Sequence, residues 1–146
     1  MMGIDSWLGL RHVALRVADV VRSRAFYTEL LGFRVEWEPD ARSVYLTSGQ
    51  DNLALHHAAT PCARGEVSPL DHFGFVVTRR DAVDAWHDRV LEYGARVVHP
   101  PRDHRDGARS FYFSDPDDNT IQILYHPPLA QLPAGPDPRG TGGDKR

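Results

Sequence analysis

Residues 10–17 alternate in character: Val13, Leu15 and Val17 fall on one side of an extended chain, His12, Ala14 and Arg16 on the other. That period of two predicts a strand with one face turned to a core. After Asp19 the period lengthens. Val20, Val21, Ala25, Phe26, Leu30 and Leu31 recur mainly at i, i+4 and i+5, which predicts a helix over 20–31 with Asp19 as N-cap and Gly32 as its stop. Short runs at 34–38, 43–47 and 52–57 predict three further strands, with Pro39-Asp40 and Ser48-Gly49 as punctuation.

The same order then returns. Residues 71–78 read as a strand with Phe73, Phe75 and Val77 on one face and His72, Gly74 and Val76 on the other. A helix over 81–93 turns Val83, Trp86 and Val90 inward and stops at Gly94; strands at 96–99, 110–114 and 120–126 complete the set. His12 and His72 are 60 residues apart, and Gly32 and Gly94 are 62 apart. A spacing held over strand, helix and helix stop marks a duplicated unit. The expected fold class is therefore α+β: two tandem βαβββ units, about 9–57 and 70–126, joined by a linker over 58–69. Their curved mixed sheet would line a cleft, with the helices on its outer face. Residues 1–128 form the expected domain. Residues 129–146, rich in Pro and Gly with little to bury, are expected to be a disordered tail.

Composition narrows the functional classes. The formal charge of −3 with both signs interspersed offers no basic stripe for nucleic acid and no polybasic patch for a membrane. No apolar run approaches the roughly 18 residues of a membrane span, and the start of the chain lacks a signal pattern. Cys62 is the single cysteine, so there is no internal disulfide framework, and a cytoplasmic setting is expected. The eight histidines are the unusual feature. Strand parity puts His12 and His72 at equivalent points of the face that the helices leave open. His56 shares that face on its own strand, two residues beyond Ala54. His57 is expected on the helix side or in solvent, His87 on the exposed face of the second helix, and His99 and His104 in a rim loop around 100–103. His126 shares the parity of Gln122. Trp7, Trp37 and Trp86 are expected in core or interface.

Two stretches carry a family resemblance. His12-Val13-Ala14-Leu15-Arg16-Val17-Ala18-Asp19-Val20, followed by Arg24-Ala25-Phe26-Tyr27-Thr28-Glu29-Leu30-Leu31-Gly32-Phe33, is similar to the opening of vicinal-oxygen-chelate proteins, the glyoxalase / bleomycin-resistance / extradiol-dioxygenase superfamily. Phe111-Tyr112-Phe113-Ser114-Asp115-Pro116-Asp117-Asp118-Asn119-Thr120-Ile121-Gln122-Ile123 resembles its close. The resemblance covers about residues 9–126. It implies a divalent metal in the cleft, with ligands from the first and last strands of each unit. His12 and His72 match the first-strand ligand positions. Gln122 matches a last-strand position where the family usually has Glu, and Ala54 falls on the remaining one, with His56 as a substitute donor. The family favours Gly where Asp118 stands, a position at which Asp also tolerates left-handed geometry.

Two imidazoles and one oxygen donor suit Fe, Mn, Zn or Ni. Tyr112, His126, Arg16 and Arg105 are the candidate substrate-binding residues. The resemblance implies a metal-dependent enzyme acting on a small oxygen-bearing molecule, the metal chelating vicinal oxygens as a Lewis acid. Extradiol cleavage is the favoured chemistry. Glyoxalase-type isomerisation needs a carboxylate where Gln122 stands. Thiol transfer of the fosfomycin-resistance type is suggested by Arg105-Asp106 followed by Ser110-Phe111-Tyr112-Phe113. The alternative is a metal-free, drug-sequestering protein of the bleomycin-resistance type, which Ala54 and Gln122 favour. A homodimer is also implied, in which His12 would meet the partner's equivalents of the second-unit residues.

Overall fold

The computed structural model describes residues 7–60 and 67–132, so Cys62, the middle of the expected linker and residues 133–146 lie outside the described residues. The chain divides into two compact units at Ala59-Thr60. The first holds β1 (His12–Val17), α1 (Val20–Ala25), β2 (Arg34–Asp40), β3 (Ser43–Thr47) and β4 (Asn52–His57). The second holds β5 (Phe73–Val76), α2 (Asp81–Tyr93), β6 (Val97–Asp103), β7 (Arg109–Ser114) and β8 (Thr120–Tyr125), followed by a short α3 (Pro127–Ala130). Their sheets run β1-β4-β3-β2 and β5-β8-β7-β6. In each, the first and last strands pair in parallel and the remaining neighbours are antiparallel. The duplication read from spacing is thus a duplication of topology, and the α+β class holds. Among the described residues no helix is long and apolar enough to cross a membrane.

Each unit has its own core. In the first, Leu15 and Val17 of β1 pack with Phe26, Tyr27, Leu30, Val44, Leu46, Leu53 and Leu55, all buried. In the second, Val83 and Val90 of α2 are buried with Phe111, Phe113, Ile121 and Ile123. Each such side chain contributes roughly 1.5–3 kcal/mol on leaving water. Asp19 caps α1 by accepting from the Arg22 N–H at 3.0 Å. Gly32 and Gly94, at φ 75° and 85°, follow the helices in left-handed geometry, and Asp118 adopts it at φ 64°.

Several expectations are corrected. The first helix is α-helical only to Ala25, and Phe26–Leu30 form a π-helical turn. Phe26, Tyr27 and Leu30 of this turn are buried in the core, whereas Val21 is 75% exposed. The strand expected over 71–78 covers only 73–76, so His72 precedes it. The expected rim loop at 100–103 is part of β6, which places His99 within a strand. His87 is not on the exposed face of α2: its ring meets Phe111 edge-on at 5.3 Å, because 83, 87 and 90 follow one helical stripe. Trp7 and Trp37 are exposed rather than core, and Trp86 lies half-buried under Arg89. The short helix Pro127–Ala130 takes in residues 129 and 130, the first two of the expected tail.

Candidate functional site

The helices cover one face of each sheet. On the open face of the first unit, the parallel register sets His12 beside Asn52, Ala14 beside Ala54 and Arg16 beside His56. The second unit sets Gly74 beside Gln122. Under the duplication, Ala54 is therefore the counterpart of Gln122, as the family resemblance implied.

His12 Nδ1 lies 2.7 Å from Asn52 Oδ1, and Asn52 Nδ2 donates to Glu36 Oε2 at 2.8 Å. These contacts determine a tautomer. A carboxylate only accepts, so the Asn52 amide turns its NH2 to Glu36 and its oxygen to His12, and Nδ1 of His12 must carry the proton. In the neutral ring this leaves the lone pair on Nε2. His72 reaches the same state by a shorter route: its Nδ1 lies 2.5 Å from Asp71 Oδ1.

In the second unit Tyr112 is the centre of a cluster. Gln122 Nε2 donates to the Tyr112 hydroxyl at 2.9 Å, leaving Oε1 as an available acceptor. The Tyr112 ring meets His72 edge-on at 5.1 Å and His99 edge-on at 5.7 Å. Gly74 lies close against the neighbouring strand, where a Cβ would stand 3.1 Å from the Gln122 carbonyl oxygen. Beside the cluster opens a pocket of about 560 Å³ lined by Asp71, Val98, His99, Pro100, Arg102, Tyr112 and Thr120.

Not every candidate joins these groups. His56 is four residues along β4 from Asn52, roughly 13 Å at the usual strand rise. Its Nδ1 pairs with Ser43 Oγ at 2.9 Å and its ring packs edge-on against Tyr45, which stacks on Trp37 at 5.2 Å. It belongs to an aromatic row with Arg16 at its side, and the substitution of His56 for Ala54 is not supported, because the register carries it away from His12. His126 and Arg105 are likewise displaced from Gln122. His126 follows β8, its Nδ1 3.8 Å from Asp106, and Arg105 is exposed in the same β6–β7 turn. His104 Nε2 bonds the buried Ser110 hydroxyl at 2.8 Å. Among the described residues no three His, Cys, Asp or Glu side chains gather within metal-binding reach.

Glu36, Asn52, Asp71 and Arg102 escaped the sequence reading, which did name His99 but placed it beside a rim loop instead of within β6. Two of them carried a signal: Asn52 shares the parity of Ala54 and His56, and Asp71 immediately precedes His72.

In each unit a histidine has its Nδ1 backed by an oxygen acceptor, Asn52 Oδ1 for His12 and Asp71 Oδ1 for His72, the arrangement that orients metal-binding histidines. In the second unit Gln122 Oε1 is a neutral oxygen donor of the kind a divalent metal accepts.

The family model for the Glyoxalase/Bleomycin resistance protein/Dioxygenase superfamily matches residues 9–123. The chain is 28% identical over 128 residues to glutathione transferase FosA of Serratia marcescens, covering 86% of each chain. It is 26% identical to catechol-2,3-dioxygenase of Bacillus subtilis over 82% of this chain but 41% of that one. The crystal structure of lactoylglutathione lyase from Agrobacterium tumefaciens shares the fold, with TM-score 0.68 and 23% identity over 82% of this chain and 95% of that one.

Proposed function

The chain belongs to the glyoxalase/bleomycin-resistance/dioxygenase superfamily, and on that premise we propose that it is a divalent-metal-dependent enzyme acting on a small oxygen-bearing molecule, with His12, His72 and Gln122 as metal ligands. The observation that carries this reading is the shared hydrogen bonding of His12 and His72, each with Nδ1 engaged by an oxygen acceptor and Nε2 turned away from it. Fe, Mn, Zn and Ni all suit the donors. A bound ion would supply Lewis-acid polarisation of a substrate oxygen. Tyr112, whose hydroxyl accepts from Gln122, orients that amide and borders the pocket in which Arg102 and His99 meet the substrate.

The relatives weigh on the choice of chemistry. Ring cleavage was the favoured expectation, yet the dioxygenase is matched over less than half its length, whereas the glutathione transferase is matched over most of it. Thiol addition to a small molecule is accordingly the better-supported reaction class. A proton-abstracting isomerisation is disfavoured because Gln122 has no basic oxygen. Ala54 and Gln122, non-acidic at two ligand positions, favour the second reading of a metal-free binding protein.

Metal analysis of protein purified without chelator decides between them. Stoichiometric metal, lost in both His12→Ala and His72→Ala while circular dichroism is unchanged, is the expected result. Gln122→Glu should tighten retention, because it adds a negative charge beside a dication. Absence of stoichiometric metal, unaltered by Gln122→Glu, would leave the binding-protein reading standing.

A further inference from the structure

We infer that the negative charge missing from Gln122 has moved outward, to Asp71 behind His72 and, through Asn52, to Glu36 behind His12, so that these three act as positioning residues for the ligands. This rests on the reading of His12 and His72 as metal ligands. Two imidazoles and an amide are all neutral, so a dication among them would have no countercharge in direct contact. Yet each imidazole backs onto a carboxylate. His72 Nδ1 meets Asp71 directly at 2.5 Å. His12 Nδ1 meets the Asn52 oxygen at 2.7 Å, and the same amide donates to Glu36 at 2.8 Å. A carboxylate behind a ligating imidazole fixes its tautomer and raises its basicity.

The two devices are unequal. Asp71 delivers a full charge directly to its imidazole, although its side chain is 95% exposed and shares that charge with solvent. Glu36 acts only through the polarised Asn52 amide, so Asn52 supplies orientation and Glu36 a weaker share of charge. Neither carboxylate is in a core, and both can be altered without cutting into packing.

Orientation and charge can be separated experimentally. The tautomers of the full-length chain are read by long-range 15N–1H correlation at alkaline pH, and affinity for Zn(II) and Mn(II) by chelator competition. The wild type should show the Nδ1–H form at His12 and His72, opposite to the preference of a free imidazole. Asn52→Leu should release His12 from that form and leave His72 in it. Asp71→Asn keeps an acceptor oxygen, so it should preserve the His72 tautomer while weakening metal binding by about 10–100-fold. Glu36→Gln should weaken it less. Adding Gln122→Glu to Asp71→Asn should recover the lost affinity, because the charge is returned to the ligand itself.

Wild-type affinity in both Asp71→Asn and Glu36→Gln, or an Nε2–H form at both histidines of the wild type, would overturn the inference. A wild type that binds neither ion overturns the ligand assignment itself; the tautomer result in that case shows whether the positioning bonds exist apart from it.

Discussion

Gly74 lets β5 lie close against Gln122 of β8. A Cβ at this position would stand 3.1 Å from the Gln122 carbonyl oxygen and 3.3 Å from its Cβ, so the neighbouring strand would have to give by a few tenths of an ångström. Gly74→Ala is expected to cost about 1–3 kcal/mol by overpacking and to break the Gln122–Tyr112 bond. Chemical denaturation gives the first quantity, and loss of Gln122 side-chain amide protection in hydrogen exchange reports the second. Arg109 shows charge used for structure instead. It donates to Asp84 through Nε and Nη2 at 2.9 and 2.7 Å and to Asp103 at 2.8 Å, tying α2 to the β6–β7 hairpin. These hydrogen bonds, ahead of the general attraction of the guanidinium, hold both carboxyls below the ordinary aspartate range. A depressed carboxyl stabilises the fold above its unfolded pKa of about 3.9, and that stability is lost as pH falls through the lower folded value. Arg109→Met should therefore lower stability at about pH 7 more than at about pH 2, where the carboxyls are protonated. The surface setting makes the difference modest.

At the scale of elements, the first helical segment shows how a buried stripe is laid down. Val20, Ser23, Phe26, Tyr27 and Leu30 are its buried residues, at the three- and four-residue steps that place side chains on one helical face. Tyr27 is fully buried with edge-on contacts to Phe26 and Phe33 at 5.2 and 6.2 Å. Tyr27→Ala should cost on the order of 3–5 kcal/mol, as for other large aromatic core residues. Asp19→Ala at the cap should cost about 1 kcal/mol. Equilibrium unfolding of both variants checks the ratio; comparable losses would mean that Tyr27 is less well packed than its burial indicates. The strands were legible in the sequence wherever alternation was clean, as at 12–17 and 52–57. They were misjudged where bulges break the period: the register shifts in β6 between Val97 and His99 and between His99 and Arg102, so a regular strand reading stopped at His99.

For the whole molecule, each four-stranded sheet ends on two edges, β1 and β2 in one unit and β5 and β6 in the other. Short edges carrying unpaired backbone groups invite partners. We expect a homodimer, which sedimentation at micromolar concentration would detect; a monomer there would dismiss it. Duplication and fold class followed from the sequence alone, because periodicity and repeat spacing are local properties that survive without coordinates; the proposal of His12, His72 and Gln122 as ligands rests on the family resemblance of the segments that carry them. The distribution of roles around them followed from neither. Whether His56 stands beside His12 depends on which residues of β1 and β4 are opposed. That His99 and Arg102 share a pocket with Tyr112 depends on bulges in a neighbouring strand. The proton on each imidazole depends on Glu36, Asn52 and Asp71, and two of these lie on other strands than the histidine they orient. Register and hydrogen-bond direction are set only when distant segments pair, and it is there that this protein's candidate chemistry is decided.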